Sequence, residues 1–72
     1  MFENLKVGDN VIRLWPGLRE QIERHPGTVV KVTSKCIYVI VTMDVQRMMH
    51  FDRHTGVNMY GREYGWLEEP TI

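Results

Sequence analysis

Gly27-Thr-Val-Val-Lys-Val-Thr-Ser34 and Cys36-Ile-Tyr-Val-Ile-Val-Thr-Met43 decide the fold class. Both runs are rich in β-branched residues, and Ser34-Lys35 offers a tight reversal between them, so they read as consecutive antiparallel strands. In the first, Val30 and Val32 share one face and Lys31 and Thr33 the other, the alternation of a half-buried strand. In the second, Ile37, Val39, Val41 and Met43 oppose Tyr38 and Ile40, so both faces are apolar. Such a strand belongs in the middle of a sheet or beneath a partner.

Upstream, Val7-Gly8-Asp9 is a turn leading into a strand over Asn10 to Leu14, with Ile12 and Leu14 on one face and Val11 and Arg13 on the other. Trp15-Pro16-Gly17 punctuates it. Leu18 and Ile22 lie four apart, and Arg19 to Glu23 and Glu20 to Arg24 form charge pairs at helical spacing. Trp15 to Pro26 therefore reads as a long loop holding at most one helical turn, since so short a helix does not stand alone. Downstream, Asp44-Val45-Gln46 turns the chain into a fourth strand over Arg47 to Asp52, with Met49 and Phe51 on one face and Met48 and His50 on the other. Three glycines, Asn58 and two tyrosines mark Thr55 to Gly65 as an irregular ordered loop, after which Tyr64 to Leu67 is a last short strand. The expectation is an all-β domain spanning 1–72, a small barrel of about five antiparallel strands with a long loop between the first two.

The chain has 72 residues, 43% hydrophobic and 25% charged, the balance of a folded domain with a small core. A core of this size leaves about 3–5 kcal/mol of net stability, so a partner or a second copy of the chain can matter to its persistence. Nine Lys and Arg against nine Asp and Glu give no net field towards nucleic acid or an anionic membrane. Any such contact must come from a local patch. The single cysteine, Cys36, rules out an intrachain disulfide and suits a reducing compartment, so a cytoplasmic location is expected. No apolar run approaches the ~20 residues of a membrane-spanning helix, and the N-terminus lacks the pattern of an export signal.

Gly8-Asp9-Asn-Val followed by Gly27-Thr-Val-Val-Lys-Val resembles the KOW and Tudor-like class of SH3-like barrels over Leu5 to Val41. The resemblance implies an SH3-like barrel working near transcription, translation or repair machinery, and it implies no activity. Zero net charge departs from the usually basic nucleic-acid-binding members. His50-Phe-Asp-Arg-His-Thr-Gly56 and Tyr64-Gly-Trp-Leu67 look like small phage or prophage proteins.

Nucleic-acid contact needs Lys and Arg for phosphates and exposed rings for stacking. Arg13, Trp15, Arg19, Arg24 and Lys31 are the best such group, with Arg47, Arg53 and Arg62 as a second edge. The same side chains serve equally as solubility charges, with Trp15 covering one end of the barrel. His50, Asp52 and His54 alternate as ligands on one side of a strand would, but the turn expected near Arg53 breaks that geometry, and no metal or other cofactor is expected. Cys36 has no base placed beside it by any motif, and Gly56, Gly61 and Gly65 fit no phosphate-binding spacing, so no enzyme is expected.

Methionines and rings make adaptable apolar contacts. Met49, Phe51 and Trp66 are assigned to the interior and Met48, Met59 and Tyr60 to the surface. With Trp15, Leu18 and Ile22 of the long loop, these three form the expected protein-binding surface. The sequence thus points to a non-enzymatic interaction module that binds a protein, a component of nucleic-acid-handling machinery, and to a phage-encoded modulator of a host enzyme. The alternatives are direct RNA or DNA binding and a homodimer that covers the second apolar face of the Cys36 strand.

Overall fold

The structure is a computed structural model that describes residues 2–17 and 21–69. Strands β1 (Asn10–Pro16), β2 (Ile22–Val32), β3 (Cys36–Thr42), β4 (Gln46–Asp52) and β5 (Trp66–Leu67) form one antiparallel sheet in the order β4-β3-β2-β1-β5. It curls into a half-barrel of the SH3-like kind. Among the described residues no helix is long and apolar enough to cross a membrane.

Local chemistry sets the turns. Lys6 N donates to Asp9 Oδ2 (2.9 Å) and Asp9 N to Lys6 O (3.0 Å), closing the turn before β1. The Thr33 hydroxyl accepts from Lys35 N (3.2 Å) and Cys36 N (2.9 Å), so the β2–β3 reversal is built around one side chain. β3 and β4 are joined through Met43–Val45, where Met43 N donates to Val45 O (3.1 Å).

The inward face carries the core: Val29, Ile37, Val39, Val41, Phe51 and Leu67, with Phe2 laid over one end. A side chain of this kind stabilises by about 1.5–3 kcal/mol when fully buried, so these few residues hold the domain. The faces expected of β3 and β4 are observed. In β2 a bulge lies between Val29 and Lys31, where the register to β3 shifts from Val29↔Val39 to Lys31↔Tyr38. Val30 is the extra residue and stays exposed, Val29 is buried in its place, and Val32 returns opposite Ile37, which corrects the simple alternation read from the sequence.

The Trp15–Pro26 segment is corrected most. It is not a long loop: β1 runs on to Pro16 and β2 begins at Ile22, paired as Trp15↔Glu23 and Pro16↔Ile22. No helical turn forms over Ile22–Arg24, and Leu18, Arg19 and Glu20 lie outside the described residues. The β3 ladder stops at Gly27, so β2 has a strand neighbour on one side only over Ile22–Pro26, a position where proline is tolerated.

The two ends of the sheet order meet through residues 56–58. Asp52 N donates to Val57 O (2.8 Å) and Met59 N to His50 O (3.0 Å) on the β4 side; Asn58 N donates to Gly65 O (3.0 Å) and Leu67 N to Gly56 O (2.8 Å) on the β5 side. Gly56, at φ +75°, is required twice, because a Cβ there would also strike the Phe2 ring. The expected Tyr64–Leu67 strand is shorter than read, since Arg62–Tyr64 makes a single 3-10 turn before β5. Trp66 is not interior. It pairs with Leu14 on the outer face, under the Arg62 guanidinium at 4.2 Å from the ring centre, and Leu67 takes the inward position.

Candidate functional site

Inward positions of β1 and β2 change character along the strands. Val11 and Gly27 face the core, whereas Arg13, Trp15, Glu23 and His25, further towards the hairpin tip, line a cleft of about 490 Å3 together with Met43 and Tyr64. Arg13 is only 5% exposed. Its Nε and Nη2 donate to Tyr64 O (3.2 and 2.5 Å), and its Nη1 meets His25 Nδ1 at 3.1 Å and Met43 Sδ at 3.4 Å. Arginine can only donate, so His25 Nδ1 is the acceptor, and Nε2 carries the hydrogen given to Glu23 Oε1 (3.2 Å). Burial pushes the Arg13 pKa down from its usual value, and the nearby Glu23 charge pulls it back up. Trp15 lies above, 5.5 Å from the Arg13 guanidinium, its Nε1 donating to Glu63 O (3.1 Å).

Arg13 is therefore a pillar beneath the 58–64 segment and not a surface cation. Asn58, also buried, completes the support: its Oδ1 accepts from Tyr60 N (2.9 Å) and its Nδ2 donates to Tyr64 O (3.5 Å). Gly65, at φ +106°, permits the close approach, because a Cβ would meet Leu14 O at 2.6 Å and Arg13 Nε at 2.7 Å. The segment held in this way presents Tyr60 (75% exposed) and Tyr64 (52%) beside Met48 (64%) of β4. Between them lie two adjoining clefts of about 340 and 280 Å3 that share Met48, Met49, Asn58 and Tyr60. Among the described residues no carboxylate lines either cleft, and Arg47 borders the larger.

A row of rings runs along the same face. Tyr38 and His50 are 5.5 Å apart between centres, His50 and Tyr60 5.2 Å, and Tyr60 and Tyr64 6.4 Å, with Lys31 Nζ 5.4 Å from the Tyr38 ring. His50 thereby sits between two tilted rings, Asp52 Oδ1 caps its turn by accepting from His54 N (2.7 Å) and Thr55 N (2.9 Å), and His54 Nδ1 meets Glu3 Oε1 at 3.2 Å. Among the described residues no three His, Cys, Asp or Glu side chains are grouped to hold a metal ion.

Of the residues singled out from the sequence for protein binding, Met48 and Tyr60 come together at the clefts, and exposed Met59 is next in chain to Tyr60. Trp15 sits in the neighbouring Arg13 cleft, Ile22 is exposed at the hairpin tip opposite Pro16, and Leu18 lies outside the described residues. The group proposed for nucleic acid does not form one surface. Arg13 pairs with His25 on the inner face, while Arg24, one position back along β2, pairs with Leu14 on the outer face and forms an ion pair with Glu68. Lys31 lies over Tyr38, and Arg19 is outside the described residues. In the second edge, Arg53 donates to Thr33 O (3.0 Å) and Glu3 O (2.8 Å), a structural use, and Arg62 covers Trp66. The Arg47 side chain has no ion pair or hydrogen bond among the described residues.

Sequence reasoning missed Asn58 and His25 as parts of this region, while Tyr38 and Tyr64 belong to the methionine and ring set that it does single out. The alternation Val11, Arg13, Trp15 signalled that Arg13 shares a face with a core residue; nothing local signalled Asn58. Compared with protein-family models, with curated proteins and with solved structures, the chain matches none.

Proposed function

We propose that this chain is a non-enzymatic interaction module, working in the cytoplasm, that binds a protein partner through the methionine and tyrosine surface around the paired clefts. The observation that carries the reading is the exposure of Met48, Tyr60 and Tyr64 side by side over a rigid support. Tyrosine offers large area at low cost in side-chain entropy and methionine adapts to shape, so such a group is suited to anchor a partner. The Arg47 and Lys31 side chains give it a basic rim. The partner class, a component of nucleic-acid-handling machinery, is supported by the KOW- and Tudor-like pattern at Gly8-Asp9 and Gly27–Val32. The likeness of His50–Gly56 and Tyr64–Leu67 to phage proteins supports a modulator of a host enzyme.

Direct RNA or DNA binding is the second reading, favoured by the ring row from Tyr38 to Tyr64 with Lys31 beside it, a stacking platform next to a cation. Capture by the full chain from bacterial lysate, with and without nuclease, separates the two. A defined protein retained after nuclease and at high salt, and lost with Met48→Ala plus Tyr60→Ala, is the expected result. Retention that vanishes with nuclease and weakens steeply with salt overturns it in favour of nucleic acid.

A further inference from the structure

Alternate residues of an antiparallel strand turn their backbone N–H and C=O groups to opposite edges. In β4 the phase is given on both sides. Met43 N to Val45 O continues the ladder that odd-numbered residues make with β3, while Asp52 N and His50 O point away from β3, to Val57 O and from Met59 N. Met48 and Gln46 therefore direct their N–H and C=O groups to the same outer edge as His50 and Asp52. The covering segment leaves that edge at Tyr60, where Tyr60 N turns back to Asn58 Oδ1 (2.9 Å) and Gly61 N to Asn58 O (2.9 Å). Beyond that point the edge borders the 340 Å3 cleft, and the structure gives no hydrogen bond to it from the described residues.

We propose that the open edge of β4 over Gln46–Met48 receives an extended segment of a partner protein as an added strand, with apolar side chains entering the cleft beside Met48, Tyr60 and Tyr64 and an acidic residue meeting Arg47. This rests on the protein-partner reading above and specifies its mode. The edge offers donors and acceptors in alternation, which a peptide backbone satisfies in full. A DNA backbone has phosphate acceptors for the N–H groups and no donor for the carbonyls, and in RNA the ribose 2′-hydroxyl is the backbone's one donor. The acidic residue follows from charge: among the described residues the Arg47 side chain at the rim has no ion-pair partner and no carboxylate lines the cleft, and Arg13 lies beneath. Pairing this edge with a second copy about a two-fold axis would bring two Arg47 side chains close together, which disfavours that occupant.

The test uses the full chain, a displayed library of random twelve-residue peptides, and backbone amide spectra. Enriched peptides are expected to alternate apolar residues and to carry Asp or Glu. They should slow exchange of the Met48 amide hydrogen and lose binding when N-methylated at the pairing position. Arg47→Glu, at an exposed site, should weaken them about tenfold, the scale of one charge-assisted hydrogen bond. Peptides that bind around Tyr60 and leave the Met48 amide unprotected overturn strand addition and leave the protein-partner reading standing. A library without binders, beside retention of single-stranded RNA or DNA, overturns both. Protection of the Met48 amide that rises with protein concentration alone overturns the peptide occupant in favour of a second copy.

Discussion

The two ends of the half-barrel are built on opposite principles. At one end Phe2, Ile37, Phe51 and Leu67 are buried, and residues 56–58 join β4 to β5 by hydrogen bonds on both sides. At the other end the same sheet faces inward with Arg13, Trp15, Glu23 and His25, and the β4 edge parts from the segment that covers it. The closed end has what holds a small domain together, apolar burial and a satisfied backbone. The open end has clefts, exposed rings and open backbone groups, held in place by buried Arg13 and Asn58. The contrast teaches that in this chain stability and recognition are segregated along the strands, so that each can be altered with limited effect on the other.

Phe51→Ala strikes the closed end hardest. Removing a buried phenylalanine costs about 3–5 kcal/mol, as much as the whole net stability of about 3–5 kcal/mol expected for a core this small. Urea titration followed by far-UV circular dichroism should find the variant largely unfolded in buffer. A cooperative transition shifted only slightly would break the assignment of stability to this end.

Arg13→Ala tests the pillar. It removes the two guanidinium bonds to the Tyr64 carbonyl and leaves only the long one from Asn58 Nδ2 (3.5 Å), a loss of about 1–3 kcal/mol on the scale of hydrogen bonds to charged groups. Amide exchange should quicken at Gly65 and Asn58 while Val39 follows only the global loss. If Arg13→Ala unfolds the chain as fully as Phe51→Ala, the open end is part of the core and the segregation fails.

A smaller effect is expected from acid. The backbone N–H groups of Thr55 and then His54 hold the Asp52 carboxyl below its usual range. Its folded pKa is thus below the unfolded value of about 3.9, so the stability it contributes is complete above that pH and is lost as pH falls through the depressed value. Asp52→Asn should be less stable than the parent at neutral pH, and the two thermal unfolding curves should converge in strong acid. Curves that remain parallel would remove Asp52 from the closed end's account.

The smallest change belongs to Met48→Ala and Tyr60→Ala, which should each shift stability by no more than about 0.5 kcal/mol, as exposed substitutions do. That near-neutrality makes their effect on partner capture a clean reading of the open end. A large loss of stability from either would sharpen the comparison differently, by showing that the ring row also supports the fold.

Much of the fold was legible because strand alternation is local. Ile37, Val39, Val41, Met49 and Phe51 face inward as their spacing requires, and the turns at Gly8-Asp9 and Ser34-Lys35 follow from residues within them. The β1–β2 hairpin was misread because Pro16, Gly17 and Pro26 are local breakers, and Glu20 and Arg24 sit at helical spacing. Pairing across the hairpin outweighs those preferences, and Arg24 finds Glu68 instead. The candidate site was legible only in part: Met48 and Tyr60 were chosen as exposed anchors, but their meeting depends on Asn58 and Gly65 of the 55–65 segment and on Arg13 of β1, far apart in the chain.

By itself the sequence determined an all-β chain, the inward and outward faces of β3 and β4, and the turns that precede β1 and join β2 to β3 and β3 to β4, because each depends on residues within a few positions of one another. Tertiary structure decided that Arg13 is a buried pillar and not a surface cation, that Val57 and Asn58 join β4 to β5, and that Met48 and Tyr60 share a cleft. Those outcomes depend on which backbone groups and charges meet across the sheet, between residues as far apart as Arg13 and Tyr64, and such meetings leave no periodic trace in the chain.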